Sequence, residues 1–132
     1  MNLLEEAPIK TEEDIIKSRA LAREKAREMG FGVVDQTRIA TAVSEIARNA
    51  LLHGLGGVMR VVVSSDEKCI EIIVEDNGPG IPDIKLAMTD GYTTKKGMGY
   101  GLGGASRLMD ELVIDSRVGV GTKVSMKKYL RS

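Results

Sequence analysis

The stretch Ser44-Glu45-Ile46-Ala47-Arg48-Asn49-Ala50-Leu51-Leu52-His53 decides how the rest of the chain is read. Around it Ile39, Val43, Ile46 and Ala50 recur at spacings of four, three and four residues, the pattern of one buried stripe on an α-helix. Successive helical residues turn by about 100°, so Glu45 and Asn49 fall roughly 90 to 130° from the centre of that stripe. They sit at its margin, one turn apart, where a helix walls a pocket. Asn49 offers a neutral oxygen suited to Mg²⁺, and Glu45 can accept the proton of an attacking hydroxyl. In isolation such a pair is an ordinary polar helix edge, and its meaning depends on the segments nearer the C-terminus.

Two later stretches supply that context. Asp76-Asn77-Gly78-Pro79-Gly80 closes a β-branched run, and Gly97-Met98-Gly99-Tyr100-Gly101-Leu102-Gly103-Gly104 leads into an apolar segment. A carboxylate at Asp76 can accept from the exocyclic amine of adenine, where guanine carries an acceptor instead. Gly78 and Gly80 allow close backbone approach to a base, and Ile81, next in sequence, is counted in the same site. In the third stretch, successive glycine N–H groups can converge on phosphate oxygens, with the start of the following helix adding its positive end. Lys95 and Lys96 add charge just before it.

No Gly-Lys-Ser/Thr follows these glycines, so the stretch is not a Walker loop, and no long βαβ unit surrounds it as a Rossmann fingerprint requires. Thr122, after Gly119-Val120-Gly121, is a candidate hydroxyl near the adenine, directly or through water; a plain turn-to-strand threonine is the alternative. His53 is read as a residue at the helix C-terminus interacting with the dipole rather than as a ligand. The ordered set is a candidate site for ATP with Mg²⁺.

Composition narrows the function classes. The chain has 132 residues, the size of one domain, and residues 1–132 are expected to form a single one. Nineteen basic residues balance nineteen acidic ones, so no basic field exists to hold nucleic acid or anionic lipid. The only cysteine, Cys69, excludes an internal disulfide framework and any multi-cysteine zinc site, and its place in a strand suggests burial. No apolar run approaches the ~18 residues a membrane span needs, and the N-terminus lacks the pattern of a secretory signal. A cytoplasmic protein with no membrane partner is expected.

The remaining pattern is helices on a sheet. Ala7-Pro8-Ile9-Lys10 reads as an edge strand, and Thr11 with Asp14 as the capping pair of a helix reaching about Glu28 and closed by Gly30. Asp35 is the expected cap of the second helix, after a bridge over Phe31 to Val34, and Gly54 its stop. Val58 to Val63 and Cys69 to Val74 read as one antiparallel hairpin, and Glu111 to Ser116 with Thr122 to Tyr129 as another. Between them a short helix from Pro82 to Met88, a mobile lid from Asp90 to Gly101 and a helix from Leu102 to Met109 are expected. The fold class is α+β: a two-layer sandwich with a mixed, mainly antiparallel sheet and helices on one face.

The order of the three stretches resembles the GHKL superfamily of ATPases and kinases, whose ATP-binding fold is the Bergerat sandwich. Within it the chain is similar, from about Ile9 to Arg131, to small bacterial serine/threonine kinases that act as stressosome switches. Met29-Gly30-Phe31-Gly32-Val33-Val34-Asp35-Gln36, Ser44 to Asn49, Gly78-Pro79-Gly80-Ile81-Pro82-Asp83-Ile84 and Arg107-Leu108-Met109-Asp110-Glu111 carry this resemblance. Arg48 looks like this group rather than the anti-sigma-factor kinases, which usually carry a small residue there.

The resemblance implies Glu45 as general base, Asn49 as Mg²⁺ ligand, Asp76 as adenine reader and Gly97 to Gly104 as the ATP lid. It further implies STAS-domain scaffold proteins as substrates in bacterial stress signalling. Once phosphorylated, the scaffold releases the kinase to activate an effector such as a PP2C-type phosphatase. Gly103 departs from the proline expected in such lids and should loosen the lid's exit. The alternative is an anti-sigma factor that sequesters a sigma factor and phosphorylates an anti-anti-sigma factor. A histidine-kinase catalytic domain is disfavoured, since no dimerisation helix with an acceptor histidine precedes the site.

Overall fold

A computed structural model describes residues 3–81 and 102–131. The expected helix at 82–88 and lid at 90–101 lie outside these residues, and so do Lys95, Lys96, Gly97, Gly99, Tyr100 and Gly101. In chain order the described elements are β1 (Leu3–Ile9), α1 (Glu12–Met29), α2 (Val33–His53), β2 (Gly57–Val63), β3 (Cys69–Asp76), α3 (Leu102–Leu108), β4 (Glu111–Arg117) and β5 (Gly121–Tyr129). The strands form one sheet in the order β1-β2-β3-β5-β4, and every pairing in it is antiparallel. Pro8 lies in the edge strand, where its missing N–H leaves no gap inside the sheet.

Local chemistry sets the helix ends. Thr11 Oγ1 accepts from the Asp14 amide at 3.2 Å while the Asp14 carboxylate accepts from the Thr11 amide at 3.1 Å, a reciprocal capping box. Gly30 closes α1 at φ +103°, a left-handed conformation that glycine adopts without strain. The second helix corrects an expectation: its N-cap is Gly32, not Asp35, and Val33 and Val34 are already helical. Gln36 explains the earlier start, because its Nε2 donates to the Phe31 carbonyl at 2.8 Å and its amide to Gly32 O at 2.9 Å. Asp35 instead lies in the first turn, where its charge favours the helix dipole, 3.1 Å from Arg38.

Strand periodicity then assigns the faces. Met59, Val61, Ile70, Ile72, Val74, Val124 and Met126 point inward and are at most 2% exposed, against Ile39, Val43, Ile46 and Ala50 of α2 and Ile15, Ala22 and Ala26 of α1. Each large aliphatic side chain buried there is worth about 1.5–3 kcal/mol. The outer face is laddered with charge, Glu71 and Glu111 flanking Lys127 and Glu75 and Asp115 flanking Lys123 across the strands. Cys69 belongs to that outer parity and is only half-buried, which corrects the expectation of burial. No helix among the described residues is long and apolar enough to cross a membrane.

The inner face is apolar in its middle and polar at both ends. At one end Lys128 is buried and donates to the Leu108 carbonyl at 2.8 Å, with Asp35 at 3.8 Å. At the other end Asp76, Thr122 and Ser116 form a row across β3, β5 and β4.

Candidate functional site

The row at Asp76 follows from register. Asp76 is the last residue of β3 and pairs with Thr122 at the start of β5, which pairs in turn with Ser116 near the end of β4. The stripe of α2 lays its last turns over the same end of the sheet. One cleft is consequently lined by Asn49, His53, Gly54, Asp76, Gly80, Ile81 and Thr122.

Asp76 is 6% exposed and accepts from the Gly78 amide at 2.9 Å. Burial pushes its carboxyl above the ordinary aspartate value, the amides of Gly78 and Thr122 partly offset this, and the nearby Glu75 charge adds to the rise. A buried carboxylate with remaining acceptor capacity suits the amine of an adenine ring. Gly54 makes room for it: a Cβ there would stand 2.3 Å from the Asp76 Cγ. A Cβ on Gly78 would in turn stand 2.4 Å from the Gly54 Cα, so helix end, carboxylate and loop form one close stack.

Asn49 is 5% exposed, and its Oδ1 is buried with no hydrogen-bond partner in the protein. An orphaned buried oxygen costs free energy unless a ligand satisfies it. A neutral oxygen of this kind suits a hard cation such as Mg²⁺, which takes one or two protein ligands beside waters and phosphate oxygens. Among the described residues no group of three or more His, Cys, Asp or Glu could hold a metal by itself. Glu45, one turn earlier, is exposed and makes no ion pair among the described residues. Its side chain is exposed, whereas Asn49 lines the cleft.

Gly80 has φ +81°, and a Cβ on it would meet the Arg117 carbonyl at 2.5 Å, so the loop after Asp76 presses against the β4–β5 turn. The Gly119 amide donates to Pro79 O at 2.8 Å across the same contact. His53 ends α2 at the cleft. Leu102 opens α3 fully buried in the hydrophobic core, and Gly103 is half-buried in the first turn of that helix. The described residues thus bring Asn49, Asp76, Gly80, Ile81 and Thr122 to one cleft and stack Gly78 against Gly54, while Glu45 is exposed on α2 and is not part of the cleft lining.

Two contributors escaped the sequence reading. Gly54 was legible only as a helix stop, since its approach to Asp76 depends on tertiary packing. Ser116 contributes its hydroxyl, which accepts from the Ile81 amide at 2.8 Å and lies 2.8 Å from Thr122 Oγ1. The one signal for it was its position opposite Thr122 across a five-residue turn.

Residues 34–131 match the pattern of the family described as histidine kinase-, DNA gyrase B- and HSP90-like ATPases. The chain is 49% identical over 125 residues to the serine/threonine-protein kinase RsbT of Bacillus subtilis (strain 168), covering 93% of this chain and 94% of that one. It is 42% identical over 105 residues to the anti-sigma F factor of Clostridium novyi (strain NT), covering 73% and 72%. Among solved structures it resembles the RsbU and RsbW domains of Rv1364c from Mycobacterium tuberculosis, with a TM-score of 0.69 at 24% identity. All of this chain is covered there, and 33% of that longer one.

Proposed function

This chain belongs to the family of histidine kinase-, DNA gyrase B- and HSP90-like ATPases, and on that premise we propose that its cleft binds ATP with Mg²⁺ and that it is a protein serine/threonine kinase. The observation that carries this reading is a buried, partnerless oxygen on Asn49 lining the same cleft as the buried carboxylate of Asp76. One group suits a cation at a polyphosphate, the other the amine of adenine. An ATP molecule bears both features.

In this reading Asp76 accepts from the adenine amine, Gly78 and Gly80 admit the base, and Thr122 supplies a hydroxyl nearby. Ile81 packs an apolar side chain against the ligand. Lys95, Lys96, Gly97, Gly99, Tyr100, Gly101, Leu102 and Gly103 belong to the segment assigned to the phosphates. Asn49 Oδ1 would hold Mg²⁺, which would supply neutralisation of the charge on the phosphate oxygens. Glu45 is the general base. The substrate hydroxyl oxygen bonds to the γ-phosphorus, the bond to the β–γ bridging oxygen breaks, ADP leaves, and the hydroxyl proton passes to Glu45.

The likeness to the kinase RsbT supports a STAS-domain scaffold or antagonist protein as substrate and a switch between partners in stress signalling. Phosphorylation of the scaffold would free the kinase for an effector such as a PP2C-type phosphatase, in the cytoplasm. The likeness to an anti-sigma F factor supports a second reading, in which the chain holds a sigma factor and phosphorylates its antagonist. Purified chain mixed with a STAS-domain protein and γ-labelled ATP tests the kinase assignment. Label on a serine or threonine of that protein is expected, and its absence from every STAS protein tried would overturn the assignment. Stable capture of a sigma factor in ATP would favour the second reading.

A further inference from the structure

We propose that Ser116 is a positioning residue that sets the Thr122 hydroxyl as a donor into the cleft, and that it thereby helps select adenine over guanine. This inference rests on the nucleotide reading above. It concerns a side chain outside the cleft lining, on a strand that meets β3 only through β5.

The hydroxyl of Ser116 has one proton and two acceptor sites. The Ile81 amide donates into one of these sites at 2.8 Å. The proton has two possible acceptors, Thr122 Oγ1 at 2.8 Å and the Gly121 carbonyl at 3.3 Å. The shorter contact is the stronger one for an O–H donor, whose favoured separation is about 2.7–2.8 Å. With Ser116 donating to Thr122 Oγ1, the proton of Thr122 is left to point elsewhere, and Thr122 lines the cleft beside Asp76.

The row Asp76-Thr122 then presents an acceptor followed by a donor. Adenine shows the complement, an amine donor followed by the acceptor ring nitrogen beside it. Guanine shows the reverse, a carbonyl oxygen followed by a ring N–H, and would face two mismatched contacts. Buried polar groups left unpaired in this way weaken binding. If Ser116 is lost, the Thr122 proton is free to turn toward the vacated space and the donor sense is no longer imposed. The same hydroxyl tethers Ile81, so the loop that follows Asp76 and the hydroxyl beside it are held by a single atom.

Equilibrium titration of ATP, GTP and inosine triphosphate into the wild-type chain, Ser116→Ala and Ser116→Thr tests the idea. Ser116→Ala is expected to weaken ATP about tenfold while GTP and inosine triphosphate change less, so the preference for ATP shrinks. Ser116→Thr, which keeps the hydroxyl on a strand, is expected to restore it. Thermal melting of the nucleotide-free variants separates this from unfolding, since a structural role alone would lower melting without changing the ratio between bases. Unchanged base preference in a folded Ser116→Ala protein would overturn the positioning role and leave the nucleotide site intact. Failure of the wild-type chain to bind ATP would overturn both.

Discussion

In the proposed reading Glu45, Asn49 and Asp76 carry the chemistry, and their different burial separates their roles. Glu45 is exposed on the helix that buries Asn49, so removing it should spare the nucleotide pocket. Glu45→Ala is expected to leave ATP affinity nearly unchanged and to slow phosphotransfer by about 10²–10⁴-fold, the usual contribution of a positioned base; calorimetry and a phosphotransfer assay on one preparation check it. Loss of ATP binding would make Glu45 structural instead. Asp76 has the opposite character. Its carboxyl holds a proton more tightly folded than its ordinary value of 3.8 implies, mainly because of burial. A raised folded value means the ionised form costs stability, so the nucleotide-free protein should lose this contribution as pH rises from that ordinary value through the raised one. ATP affinity should move the other way and fall as pH drops through the same window, because the protonated group has lost acceptor capacity. Denaturant titrations across pH check the first sign in the difference between wild type and Asp76→Asn, which cancels the slopes of the other carboxylates such as Asp14 and Asp66, and ATP titrations on wild type check the second.

Elements meet at the site through glycines more than through side chains. Gly54 ends α2 where a Cβ would overlap the Asp76 carboxylate, and Gly121 starts β5 where a Cβ would stand 2.1 Å from the Asp76 carbonyl. Gly54→Ala is expected to cost about 1–3 kcal/mol, the usual penalty for overpacking, and to weaken ATP by displacing Asp76; denaturant midpoints and ATP titration report both. Gly32 is the contrasting case. It caps α2 at φ −69° with no side-chain cap bond and has nothing within 4 Å of a built Cβ. Gly32→Ser is therefore expected to stabilise the protein by only about 0.3 kcal/mol through a new bond to a first-turn amide, because glycine is already a tolerated cap, with kinase activity unchanged because the proposed site lies at the far end of α2. Helix and strand limits were largely legible because local rules govern them: the Thr11 box, the Gly30 cap and the period-two runs of β2, β3 and β5 all fall where the residues place them. Asp35 misled because an acidic residue favours a first turn as well as a cap, and only the bond from Gln36 to Phe31 shows which position it holds.

At the scale of the molecule, one sheet carries an apolar middle and two polar ends, and two long helices cover its inner face. Helical spacing and strand alternation report that layering directly, so the fold class could be read from the chain. The order β1-β2-β3-β5-β4 could not, because the β3–β5 pairing joins segments separated by α3 and β4. The candidate site was legible in part. Glu45, Asn49 and Asp76 stood out by residue type and spacing, whereas Gly54 and Ser116 matter through contacts that exist only after strands and helices have assembled. The central claim is that α2, the loop after Asp76 and the start of β5 close on one nucleotide at a single end of this sheet. Amide hydrogen exchange with and without saturating Mg-ATP tests it most directly. Slowed exchange is expected at Gly54, Gly78, Ile81 and Thr122, with the opposite end around Gln36 and Lys128 unaffected. Identical exchange at the Asp76 end in both conditions would contradict the claim.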